Sequence, residues 1–259
     1  MRRILVTLIS LIALLLCTSC SNEELPSSTL KDCPQTDAPI LAQGECSTTA
    51  SWIIYEDGLM CIYGSEKIGY TPNREDVKWR EYKDSIKNLY IGDGIVQICQ
   101  FAFYDCKNLE TVRFPDSMEG ISISAFESCP KLRDVVIPDE VTKIDIWAFA
   151  NCDSLTSIKI PGSLRTVSEY LFSGCDNLKE VTMATGVNKI AINAFEDNTS
   201  LETVTIPHSM RNIEAYAFKN CTNLKDVYYE HTNHNFDRLK VKELGNEFLL
   251  NAESHFLNQ

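Results

Sequence analysis

Eleven cysteines, four histidines and an excess of carboxylates are the side chains of this sequence that could hold a metal, close a disulfide or attack a substrate. Cys106, Cys129, Cys152, Cys175 and Cys221 keep a spacing of 23 residues, and Asn198 fills the place where the series skips. Zinc sites draw on paired C-x-x-C ligands, and single cysteines at this spacing supply no pair. Asn and Cys can both donate a hydrogen bond to a backbone carbonyl at a buried turn, so the exchange points to structural, free thiols. Cys33, Cys46, Cys61 and Cys99 lie outside that column. In an oxidising compartment they could pair in any of three full connectivities, and the sequence does not choose among them. His231 and His234 form the one close histidine pair, in the polar turn His231-Thr232-Asn233-His234-Asn235 with only Glu230 or Asp237 as further donors. That reads as an exposed loop rather than a metal site. No Gly-rich phosphate loop follows a strand, no G-x-S-x-G occurs, and no unit gathers nucleophile, base and orienter, so the expectation is no enzyme, no cofactor and no metal.

The elements that carry these residues are set by a repeat. Phe103, Phe126, Phe149, Phe172, Phe195 and Phe218 recur every 23 residues. Around them Leu109, Val112, Phe114, Pro115, Met118, Ile121, Ala125, Phe126 and Cys129 return as Leu132, Val135, Ile137, Pro138, Val141, Ile144, Ala148, Phe149 and Cys152. A period of this length with an L-x-x-V-x-I core is the signature of a leucine-rich repeat, in which one short strand per turn stacks into a parallel sheet. The expected fold is an α/β repeat, rich in β: a right-handed leucine-rich-repeat solenoid of 23-residue turns, with an N-terminal β-hairpin cap and a mixed C-terminal cap. Asp57-Gly58 between the alternating runs Trp52, Ile54 and Leu59, Cys61 marks the hairpin. Residues 44–85 read as the N-terminal cap, 86–229 as repeats and 230–259 as the C-terminal cap.

Ahead of the cap lies an export address. Arg2 and Arg3 precede an apolar run from Ile4 to Leu16, too short to span a bilayer and shaped like a secretory signal over residues 1–19. Thr18 and Ser19 before Cys20 look like a bacterial lipobox, with Cys20 the lipidated residue, and Ser21-Asn22-Glu23-Glu24 resembles the acidic export signal of Bacteroidetes surface lipoproteins. Residues 20–43, rich in Ser, Thr, Pro and Asp, read as a flexible tether. The formal net charge of -12 argues against nucleic acid or an anionic bilayer as partner, so contact with a membrane is expected only through the lipid anchor.

The chain resembles the BspA-type leucine-rich-repeat proteins. Gly44-Glu45-Cys46, Trp52 and Asp57 to Gly64 are similar to that family's N-terminal cap. Ile206, Pro207, Ser209, Met210, Ile213, Ala217, Phe218, Cys221 and Leu224 follow its repeat, and Val227-Tyr228-Tyr229, Phe236, Asn246, Leu249 to Ala252, His255 and Phe256 its C-terminal cap. The resemblance implies a lipid-anchored outer-membrane protein, displayed at the cell surface or facing the periplasm, that acts in adhesion or protein binding. Its ligand would be a host-matrix or bacterial surface protein; the alternative is a glycan-capturing accessory lipoprotein.

Alternation along each strand turns the residue between V and I outward, placing Tyr90, Arg113, Val136, Lys159, Thr182, Thr205 and Tyr228 in one stripe, flanked by Asn88, Thr111, Asp134, Ser157, Glu180, Thr203 and Asp226. This stripe, with two Tyr and two cations on an acidic protein, is the expected partner-binding face. Ser85, Ser117 and Ser154, each after Asp and before an apolar residue, match a short O-glycosylation pattern.

Overall fold

Each repeat forms one coil because it offers two short apolar strands that cannot bury themselves alone. The computed structural model describes residues 33–68, 72–230 and 238–257, all within one unit of the chain spanning residues 32–259. Signal, Cys20, the first part of the tether and the turn of His231 and His234 lie outside the described residues.

The N-terminal cap is a three-stranded antiparallel ribbon, Ile40–Glu45, Ala50–Tyr55 and Leu59–Gly64. The hairpin turns at Asp57-Gly58, where Gly58 has φ +95, a conformation open to glycine and costly for most other residues. The ribbon begins at Ile40, inside the stretch expected as tether, and Cys33 is bonded to Cys61 of the third strand. Leu59–Gly64 then pairs in parallel with Asn88–Ile91, joining the cap to the first coil.

From there each coil contributes one strand to a sheet on the open face and one two- to four-residue strand to a second sheet. Register is kept at 23 residues: Lys159 faces Thr182, Thr182 faces Thr205, and Thr205 faces Tyr228. Proline at 115, 138, 161 and 207 follows the open-face strands, where its missing N–H and fixed φ end a ladder without orphaning a donor. Inward residues of both strands, such as Val181, Met183, Ile190 and Ile213, have no exposed surface.

The third side of every coil is a turn holding the repeated Phe. Phe103 to Phe218 stack ring on ring, with centroids 5.2–5.8 Å apart and planes tilted 3–14°. All six are fully buried, each amounting to about 1.5–3 kcal/mol of apolar burial. The turn needs two left-handed residues per coil. One column runs Phe101, Ser124, Trp147, Tyr170, Asn193, Tyr216 and the other Asp105, Ser128, Asn151, Gly174, Asp197, Asn220.

Both ends of the stack are closed by side chains from outside the repeat. Trp79 stacks on Phe103 at 5.5 Å and donates its indole N–H to the Ala102 carbonyl at 2.7 Å. At the far end Phe218 N–H would meet the carbonyl of a next coil, as Phe195 N–H meets Ala217; instead it donates to the buried Asn246 side-chain oxygen at 2.9 Å. Asn246 returns its own N–H groups to the carbonyls of Glu214 and Lys242. The C-terminal cap carries the short helix Glu247–Asn251, with Leu249 buried, and a last strand, Glu253–Phe256, that extends the open-face sheet.

Candidate functional site

The Cys column is structural. Cys129, Cys152, Cys175 and Cys221 donate their thiols to the carbonyls of Phe103, Phe126, Phe149 and Phe195 at 3.1–3.4 Å. Asn198 does the same work with its amide, reaching Phe172 and Phe195, and also accepts the N–H of Cys175. The five thiols are free. Burial pushes Cys106, Cys175 and Cys221 up to about 12 and holds Cys129 and Cys152 well above the ordinary range, so at neutral pH the five stay protonated and free to donate. The Cys33–Cys61 bond settles one pairing that the sequence left open, and the Cys46 thiol donates to the Ala50 carbonyl.

On the open face the seven candidate residues meet different fates. Arg113, Val136 and Lys159 are exposed, and among the described large apolar residues Val136 is the most exposed at 80%. Thr182, Thr205 and Tyr228 are half-buried by their neighbours. Tyr90 departs from the expectation: only 7% of it is exposed, because it lies against the cap strand in register with Cys61 and carries the Arg113 guanidinium 4.7 Å above its ring. Tyr228 stacks on His255 at 4.7 Å. Sequence alternation therefore located the stripe, while the cap, whose packing no single-residue pattern reveals, decides what its ends present.

The stripe is also parted. Thr111 and Val112 pair with Asp134 and Val135, which carries Arg113 toward Val136. No strand pairing then joins Asp134–Val135 to Ser157–Ile160, so Val136 and Lys159 are not rungs of one ladder; they line opposite walls of a cavity of about 520 Å³.

Beyond Tyr228 the last strand adds an eighth rung that the sequence reading took only as cap. His255 faces Tyr228, and Glu253 faces Asp226. The signal was present in the alternation of Glu253, Ser254, His255 and Phe256, though four residues at the end of a chain carry little periodicity. His255 Nε2 lies 2.7 Å from Asp226 Oδ1, and donor atoms of Asp226, Glu253 and His255 all fall within 4.8 Å of one another, close enough to share a cation. Among the proposed glycosylation sites, Ser117 is engaged as donor to Ile95 and acceptor from Gly94, which leaves little of its hydroxyl to modify.

A family model described as BspA type leucine-rich repeat region matches the chain in six copies, over residues 81–199 and 119–241. Similar solved structures include a leucine-rich repeat protein of T. pallidum, 23% identical with a TM-score of 0.56, covering 83% of this chain and 100% of that one. Another is a leucine-rich repeat protein from Eubacterium ventriosum, 16% identical with a TM-score of 0.53, covering 73% and 72%. Both likenesses bear on the fold. No curated protein matches the chain.

Proposed function

We propose, because the chain belongs to the BspA-type leucine-rich-repeat family, that it is a protein-interaction module that binds its partner with the open face of the repeat sheet and serves adhesion at the cell surface. The observation that carries this reading is the exposure of Arg113, Val136 and Lys159 on the open face, on either side of the joint where its strand pairing is interrupted. Arg113 already lies over the Tyr90 ring and Val136 is β-branched, so both lose little further freedom when a partner covers them. A protein ligand, from host matrix or from another bacterial surface, suits this face better than a glycan. Sugar platforms need open aromatic rings, and Tyr90 lies under Arg113 while Tyr228 lies against His255.

Display through a diacylated and N-acylated Cys20 on the outer membrane belongs to the same proposal. No described helix is long and apolar enough to cross a membrane. The proposal attaches the chain by its lipid. Protease shaving of intact cells tests display: the repeats are digested if they face outward and survive if they face the periplasm. The face itself is tested by joint Arg113→Ala and Lys159→Ala substitution. Capture of matrix or bacterial surface proteins should fall about tenfold or more if each side chain contributes at least 1 kcal/mol. Unchanged capture would move the interface to the caps or the turn side.

A further inference from the structure

Both sheets stop at one joint. Between the coils of Phe149 and Phe172, strand pairing is missing on the open face and again between Lys143–Ile144 and Thr166–Val167, although successive strands pair at every other joint of both sheets. Elsewhere the N–H groups of Lys179 and Glu180 donate to Thr156, and those of Asn188 and Lys189 to Arg165. The equivalent bonds from Thr156 and Ser157 to Arg133 are not made, and Arg165 N–H turns to Ser163. The turn side of this joint stays tied: Phe149 stacks on Phe172 at 5.7 Å, and Phe149 and Asn151 donate to Leu171 and Ser173. The Ser163 and Ser168 hydroxyls reach across to Val141 and Ile144. The two coils are thus tied on the turn side and by these two hydroxyls, while their strands stay unpaired in both sheets.

On the open face the parting makes the cavity of about 520 Å³, a size that accepts a few side chains. Its walls are Val135, Val136, Ile137 and Pro138 on one coil and Lys159 and Pro161 on the next, and its mouth is rimmed by Asp116, Asp139 and Glu140. Among the described residues none of those three carboxylates, nor Lys159, is held in an ion pair. An apolar slot with exposed Val136 and a net negative rim together select a ligand of definite chemistry.

We propose that this cleft binds an extended peptide segment of the partner laid across the open face, its side chains entering the cleft between Val136 and Lys159. A small apolar side chain would enter against Val136 and Ile137, and a basic side chain would lie on Asp116, Asp139 and Glu140. An extended segment offers its side chains alternately, so one apolar and one basic residue can reach the slot and its rim together. The inference rests on the reading of the open face as the partner surface and names what that surface takes.

The probe is a capped heptapeptide alternating valine with arginine, titrated into the isotopically labelled full-length protein and followed by chemical shifts. Shifts are expected at the Val136 methyls and the amides of Thr156 to Lys159. Binding should weaken roughly three- to tenfold on joint Asp139→Asn and Glu140→Gln substitution, as exposed ion pairs allow. It should be lost when the peptide carries glutamate in place of arginine. Both substituted residues are exposed, so an unchanged melting temperature serves as the folding control. Shifts at Thr182, Thr205 and Tyr228 without Val136 would overturn the cleft and leave the open face standing. Shifts elsewhere, or none, would overturn the cleft and leave the face to be decided by the Arg113 and Lys159 capture experiment.

Discussion

Asn198 shows what the buried column is for, since its one side chain answers the carbonyls of Phe172 and Phe195 and the N–H of Cys175. Asn198→Ala leaves the Phe172 carbonyl and the Cys175 N–H without partners, while Phe195 keeps the Cys221 thiol, and should cost about 2 kcal/mol or more, with each orphaned buried group contributing roughly 1–3. Asn198→Cys, which recreates the neighbouring coils, should cost less than half as much. Equal urea midpoints for the two variants would refute the role. The thiols also tie stability to alkaline pH. Their folded values lie near 12 or well above 9.0, the unfolded value, so the stability they contribute is complete below pH 9 and is lost as pH climbs toward 12. Tyr229, raised to about 12 by burial, pulls the same way. Urea midpoints should fall between pH 8 and pH 11, and less steeply for Cys175→Ala. The column was legible in the sequence because Asn and Cys share a donor. Tyr90 was not, because its burial comes from a guanidinium and a strand that no repeat position encodes.

The turn is the element in which local strain and stacking meet. Left-handed backbone costs an ordinary L-residue about 1–2 kcal/mol relative to glycine, and the column of Asp105, Ser128, Asn151, Gly174, Asp197 and Asn220 meets that cost with short polar residues or none. Ser128→Gly should therefore stabilise by up to about 1 kcal/mol, and Gly174→Ser should destabilise by more than that, since a Cβ there would come within 2.5 Å of Asn151 Oδ1. Chemical denaturation of the pair reads both signs. The N-terminal cap element makes a sharper claim. Trp79→Ala removes the plate that closes the stack and the donor to Ala102, with an expected loss of about 3–5 kcal/mol. The period, the strands and the hairpin at Asp57-Gly58 could be read from the chain because each repeats or carries a turn signal. The strand Ile40–Glu45 could not, for its residues ILAQGE stand half in solvent and hold their place through pairing and the Cys33 bond.

At the scale of the molecule, the missing pairings divide the array into two blocks, one from the cap to Lys143–Ile144 and one from Ser157–Ile160 to Glu253–Phe256. Hydrogen exchange should reveal the seam: the amides of Thr156 and Ser157 are expected to exchange faster than those of Lys179 and Glu180, which hold the equivalent positions one coil on. Equal protection would mean that the seam closes in solution. The repeat motif shows one departure at this seam, Leu171 where the other coils carry Ala, and it lies on the turn side that stays tied, so the motif did not foretell the loss of pairing. The two closures of the stack have a different bearing. Trp79 and Asn246 are foreign to the motif, whereas the coils from Ser157–Ile160 to Asp226–Tyr229 each show their successor the same face they were shown. A stretch of one period can therefore be gained or lost in the middle of the gene without disturbing either terminus. Lineages carrying more or fewer coils would differ in the reach of their contact surface and keep the same way of folding.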